Sequence, residues 1–222
     1  MRKIRPYIAG FISLMVPIFL IMSSIRLLLN PVFLQLEYRA PGFPPDTYGF
    51  TLDDRLKWSQ ISLDYLVNDA GISFLADQEF SDGTPIYNDR ELSHMLDVKN
   101  LIQKMIIAWD LIAFFLIATY IWAWKAGWLK DFWLGISRGG WITLGLIAAI
   151  LVGVFASFSA LFTSFHQIFF SGDTWLFLFS DTLIRLFPMR LWQDAFIFMG
   201  FFTLAGGLLA GMVARLIYRK MS

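Results

Sequence analysis

Cysteine does not occur in the chain, and histidine occurs only twice, at His94 and His166. The first absence excludes a disulfide framework, a thiolate zinc site, a cysteine nucleophile and lipid modification of this chain on its own cysteine. Charge is also scarce, at 16% of 222 residues, where a soluble domain carries about 25%. With a net charge of only +1, the basic footprint of a nucleic-acid binder is missing, so no nucleic-acid partner is expected. Motifs of several enzyme classes are absent too: there is no G-x-S-x-G elbow, no H-E-x-x-H and no phosphate-loop or dinucleotide fingerprint.

In place of charge the chain has 57% hydrophobic and 18% aromatic residues, and a mean hydropathy of +0.60. Four runs of 20 residues or more, at 7–29, 105–124, 141–162 and 194–218, are long enough to cross a ~30 Å hydrocarbon core at 1.5 Å per residue. The first follows Arg2, Lys3 and Arg5 but exceeds a signal-peptide core and lacks a small-x-small cleavage site, so it is expected to stay as an anchor. Basic residues mark one face: Arg2, Lys3 and Arg5, then Lys125, Lys130 and Arg138, then Arg215, Arg219 and Lys220. The positive-inside rule makes that face cytoplasmic, with both termini. The opposite segment, 31–104, has 6 Lys and Arg against 12 Asp and Glu. Arg26 and Asp110 fall at similar depth near the outer ends of the first two spans, which suggests an ion pair. Gly207 and Gly211 form a small-xxx-small face suited to close helix packing.

The fold class expected is an all-α integral membrane protein of four transmembrane helices, with a small mixed α/β extracytoplasmic cap between spans one and two. Residues 1–30 are the N-terminal tail and span one, 31–104 the cap, and 105–222 spans two to four with an aromatic outer loop at 163–193. In the cap, Val32, Leu34, Leu36 and Tyr38 alternate with polar or outward positions like a half-buried strand, and a second strand is expected near 72–75. Thr51 and Asp54 have capping-box spacing and should open a helix reaching about Asn68. After the Gly83, Thr84, Pro85 turn, Asn88 or Asp89 should cap a helix through His94 that runs into span two.

Both histidines fall on the outer face in this topology. An imidazole can take or give a proton near pH 7, and Glu91 and Asp97, each three residues from His94, are placed to orient it. An interface histidine can equally be a polar residue in a wet place. Between 162 and 192 lie nine aromatic residues, including Phe169, Phe170 and Trp175. They suit either an interfacial segment or a water-poor chamber for acyl chains, into which Asp173, Asp181, Arg185 and Arg190 project. A two-His-one-carboxylate metal site lacks a supporting motif, so no metal and no cofactor are expected.

His94, Met95, Leu96, Asp97, Val98 and Lys99, together with Phe165, His166, Phe169, Phe170, Trp175, Asp181, Ile184 and Pro188, resemble two segments of the bacterial lipoprotein intramolecular transacylase family. The departures are Asp181 followed by Thr182, and Phe187, Pro188 and Met189, where many members have Asp-Pro and Leu-Pro-Glu; the stretch 41–50 has no placed counterpart. The resemblance implies a membrane acyltransferase of the bacterial plasma membrane whose substrate is a diacylated lipoprotein and whose surroundings are membrane lipid. It would move the sn-2 acyl chain of the diacylglyceryl group to the α-amine of the N-terminal cysteine, leaving a lyso-form lipoprotein. His94 and His166 would be catalytic, with Glu91, Asp97, Phe169, Phe170, Trp175, Asp181 and Arg185 supporting them or binding substrate. Another lipid acyltransferase or lipase, or a membrane-anchored binding protein without activity, remains an alternative; a transporter lacks broken helices and a polar stripe.

Overall fold

A computed structural model describes residues 3–221 as eight helices: α1 (Arg5–Leu28), α2 (Pro31–Glu37), α3 (Leu52–Val67), α4 (Ser73–Ala76), α5 (Asp89–Lys125), α6 (Leu129–Phe169), α7 (Thr182–Leu186) and α8 (Met189–Lys220). The basic residue Arg2 of the N-terminal cluster lies outside the described residues. Helices α1, α5, α6 and α8 are each long and apolar enough to cross a membrane. The chain divides into two compact units: one comprises 1–27, 105–156 and 196–222, the other 28–104 and 157–195.

The first unit is a bundle held by small residues and hydroxyls. A Cβ on Gly140 of α6 would lie 2.3 Å from the Gly211 nitrogen and 2.6 Å from the Gly207 oxygen, so the small face of α8 meets bare backbone. Ser137 donates to the Gly211 carbonyl at 2.9 Å, Ser13 to the Gly135 carbonyl at 3.0 Å, and Thr203 to Ser24 at 2.8 Å. Where no hydrophobic drive separates helix from lipid, such close approach and interhelical hydrogen bonding decide the packing. Arg26 and Asp110 are paired at 3.7 Å, with the guanidinium 4.3 Å from the Trp109 ring.

The second unit has a core of its own, in which Trp58, Tyr65, Leu75, Ile86, Tyr87, Met95, Leu183 and Leu186 are buried together. It corrects the mixed α/β cap: among the described residues there is no strand, only an isolated bridge between Glu79 and Pro85. Val32 to Glu37, expected as strand, is helix α2. Asn30 accepts the Val32 N–H at 2.9 Å and Pro31 occupies the first turn, a helix-start arrangement that outweighs the alternation. The buried positions are Leu34, Glu37 and Tyr38, at helical spacing, while Val32 and Leu36 are 57% and 69% exposed. The second expected strand is the single turn α4, which seats Leu75 in the core. Helix α3 starts on the expected capping box of Thr51 and Asp54 and ends at Asn68. The segment expected as a loop at 163–193 is partly helical. Helix α6 bends at Ser157, whose backbone leaves the helical region (φ −163°, ψ 92°), and continues to Phe169 before α7 and the start of α8.

Two contacts lock the second unit. Arg185 donates to both Asp46 oxygens at 3.2 and 3.0 Å and to the Tyr48 carbonyl at 3.2 Å, with its guanidinium 3.4 Å from the Phe50 ring centroid. Lys99 donates to Asn68 at 3.1 Å and to the Ala70 carbonyl at 2.5 Å, tying α5 to the turn after α3. The Asp46 and Arg185 side chains are only 2% and 11% exposed. Asp46→Ala is therefore expected to lower stability by about 1.5–3 kcal/mol by removing charge-assisted hydrogen bonds to the Arg185 guanidinium, which a thermal or denaturant melt in detergent would read. Gly140→Ala is expected to lower it by about 1–3 kcal/mol or more, because the colliding atoms are backbone and cannot rotate away. A melt unchanged by Gly140→Ala would refute the tight contact.

Candidate active site

Asn88 opens α5 by accepting the Glu91 N–H at 3.0 Å, while a Glu91 oxygen accepts the Asn88 N–H at 2.9 Å. The other Glu91 oxygen accepts the Leu183 N–H at 2.6 Å, so one buried carboxyl ties the start of α5 to the start of α7. Glu91 thus does not meet His94 directly; it fixes the turn from which His94 projects. Burial pushes its carboxyl up to about 7, against the two backbone donors that favour the charged form.

His94 comes about one turn later and His166 lies near the end of α6; each is 8% exposed. Their rings stand 6.1 Å apart, centroid to centroid, and nearly parallel at 21°. Phe170 is packed against both, at 5.1 Å from His94 and 5.5 Å from His166. Phe177 closes over His94 at 5.3 Å, while Phe162 and Trp175 flank His166 at 4.2 and 4.9 Å. The polar pair is therefore set in an aromatic box. His166 Nδ1 lies 2.8 Å from the Phe162 carbonyl; a carbonyl only accepts, so Nδ1 carries the proton and Nε2 keeps its lone pair. Among the described residues His94 Nδ1 is buried with no partner, as are Trp175 Nε1 and the Thr174 hydroxyl.

Both histidines precede or follow the apolar runs at 105–124 and 141–162. Burial pushes His94 down to about 4, with the neighbouring His166 adding to the effect. Burial also lowers His166, partly opposed by its bond to Phe162. Both rings are accordingly neutral at pH 7, and the pair resists taking two protons.

The remaining residues singled out from sequence divide into two groups. Asp97 lines a cavity of about 220 Å³ with Asn100, Lys104, Phe169, Phe170 and Ser171. Phe170 is the wall this cavity shares with the histidines. Asp181 accepts the Leu178 N–H at 2.8 Å and the Asn88 amide at 3.3 Å, and Arg185 is held by Asp46; both shape the segment carrying Trp175 and Phe177 without meeting the imidazoles. Phe177 enters the sequence reading only as one of the nine loop aromatics and Asn88 only as a helix cap, while Thr174 and Asp46 have no sequence signal as site residues. Asp46 and Arg185 are 139 positions apart, and no spacing rule connects them. No group of three metal-ligating side chains occurs among the described residues.

The chain is thus a multi-pass membrane protein with two buried imidazoles in an aromatic box, groups that can exchange protons away from bulk water. Comparison with known proteins gives the family. The description of Lit, the lipoprotein intramolecular transacylase, matches residues 10–192, and the chain belongs to that family of acyltransferases. A protein of Aquifex aeolicus (strain VF5) described as uncharacterized is 29% identical over 213 residues, 92% of each chain. The fold matches the in meso structure of the membrane integral transacylase Lit from Bacillus cereus with a TM-score of 0.75 at 22% identity, covering 97% of this chain and 99% of that one. A variant of that protein with one histidine changed to arginine matches with a TM-score of 0.69, again at 22% identity, over 97% of this chain and 94% of that one.

Because burial holds both imidazoles below the ordinary histidine value, both are expected to titrate below pH 6.5, so that the rings stay neutral as pH falls from 7 to 6. Titration of the two imidazoles by NMR on the full chain in detergent checks this; a midpoint at or above 6.5 for either ring would sink it.

Proposed function

We propose that the protein moves the sn-2 acyl chain of a diacylglyceryl lipoprotein to the α-amine of the N-terminal cysteine, giving an N-acylated lyso-form lipoprotein. The reading rests above all on one observation, the burial of the two histidines of the chain side by side in an aromatic box. It also takes support from the family to which the chain belongs. The reaction occurs at the outer face of the plasma membrane, with both termini cytoplasmic, as the distribution of Lys and Arg favours.

The amine must lose a proton to attack, and the glyceryl oxygen must gain one to leave. His166 is the base in this reading, because the Phe162 carbonyl holds Nδ1–H and leaves Nε2 free. As the nitrogen lone pair bonds to the ester carbon, the amine proton passes to His166; on collapse of the tetrahedral adduct the C–O bond breaks and His166 returns the proton to the glyceryl oxygen. His94 keeps an unpartnered Nδ1 for a hydrogen bond with the substrate, and the low proton affinity of both rings holds the pair to one proton at a time. No covalent acyl-enzyme is required. Holding amine and ester together is worth up to about 7–11 kcal/mol, and the aromatic walls limit hydrolysis of the ester by keeping water away.

Acyl transfer is tested by fragment mass spectrometry of the N-terminal lipopeptide of a lipoprotein expressed in a host that otherwise leaves it diacylated. Total mass is unchanged by intramolecular transfer, so the fragments must locate the acyl group. An acyl group on nitrogen is expected with the wild type, and His94→Ala or His166→Ala should lower the rate by about 10²–10⁴-fold. Near-full conversion by a folded His166→Ala protein would remove the assignment, and turnover of free phospholipid without lipoprotein would indicate a different lipid substrate.

A further inference from the structure

Trp175 has a role beyond packing. Its ring lies 4.9 Å from that of His166, tilted by 34°, and its indole nitrogen is buried without a hydrogen-bond partner among the described residues. An indole N–H is a donor only, so it can serve neither as base nor as nucleophile. A buried donor left empty is costly to the folded state and is seldom retained without reason. Here the empty donor belongs to the ring beside the imidazole that has its own lone pair free. A transacylation places an amine nitrogen against such a base and, two bonds away in the adduct, an oxygen on which negative charge develops.

We infer that the Trp175 Nε1–H is an oxyanion donor, taking up the carbonyl oxygen of the sn-2 ester as it becomes tetrahedral; this rests on the transacylase reading. As the amine nitrogen bonds to the carbonyl carbon, the π electrons move onto oxygen and are held by the indole N–H. When the C–O bond to the glyceryl group breaks, those electrons re-form the carbonyl, now an amide, and the indole N–H is left as it began. In a site walled by Phe162, Phe170 and Phe177, a neutral N–H dipole works in a low dielectric and is more effective than it would be in water. The neutral donor also avoids a cation beside His166, which would weaken it as a base.

The test uses the full chain in bicelles with a synthetic diacylated lipopeptide. Trp175→Phe keeps a ring against His166 and removes the N–H. Replacing Trp175 with β-(3-benzothienyl)alanine removes only the N–H and preserves the bicyclic shape. Both are expected to lower kcat by about 10²–10³-fold while KM changes by less than about threefold, and an unreactive ether-linked lipopeptide should bind the benzothienyl form as it binds the wild type. Retention of kcat by the benzothienyl form, or loss of its affinity for the ether analogue in step with kcat, would overturn the assignment and leave Trp175 a packing residue. A wild type that moves no acyl group would instead overturn the transacylase reading, and the inference with it.

Discussion

The second unit depends on one buried carboxyl. Glu91 is 1% exposed and accepts two backbone N–H groups, from Asn88 just before its own helix and from Leu183 in α7. Helix starts leave donors unsatisfied, and here the beginnings of two helices are served by the same side chain. The bond to Leu183 brings α7 against the start of α5, and with α7 comes Asp181, which holds the Leu178 N–H and the Asn88 amide. The segment between α6 and α7 is thereby held at the end nearest His94. His94 projects from the turn that Glu91 anchors, and Phe177 from the segment that Asp181 anchors; the two rings meet at 5.3 Å. One acidic side chain thus positions an imidazole it does not touch.

The electrostatics of the box follow from what surrounds it. Neither imidazole has a carboxylate against it, so nothing offsets the desolvation of the charged form, and both are lowered. Had Glu91 or Asp97 paired with His94, the ring would be a stronger base and would hold its proton at neutral pH, slower to give it up. Glu91 is committed to backbone donors and Asp97 lines the adjoining cavity. The separation of acid from base keeps the rings neutral, the form in which an imidazole can accept a proton from an amine.

Much of this was legible in the residues and some was not. The four spans follow from length and apolarity, and the α3 start from Thr51 and Asp54, because both signals are local. The cap was misread where two local signals compete: alternation over Val32 to Tyr38 points to a strand, whereas Asn30 and Pro31 start a helix. The decisive fact is that the stripe facing inward contains Glu37, a residue no apolar pattern would select. The two histidines were legible as candidates, since the chain has no others, but their approach to 6.1 Å depends on the helical continuation of α6 to Phe169 and on the packing of the second unit. Asp46 with Arg185 was illegible for the opposite reason: its partners are fixed only by the completed fold.

The absence of a serine or cysteine nucleophile is intelligible once the substrate is one molecule that contains both reactants. A covalent intermediate helps when acceptor and donor must visit the site in turn. In the reaction proposed above, an amine and an ester already joined through one cysteine need alignment, and a dry enclosure in which a proton can leave nitrogen and reach oxygen. On that proposal an aromatic box supplies the first by shape, and two neutral imidazoles supply the second without placing a permanent charge in a poorly solvated site, where a lasting charge would cost several kcal/mol. The same economy explains why polar atoms in the site are few and why those left unpartnered among the described residues, His94 Nδ1, Trp175 Nε1 and the Thr174 hydroxyl, are neutral. A site built for a separate nucleophile would need a third group with its own activating partner, and the rings packed against the histidines, phenylalanines and Trp175, can provide neither.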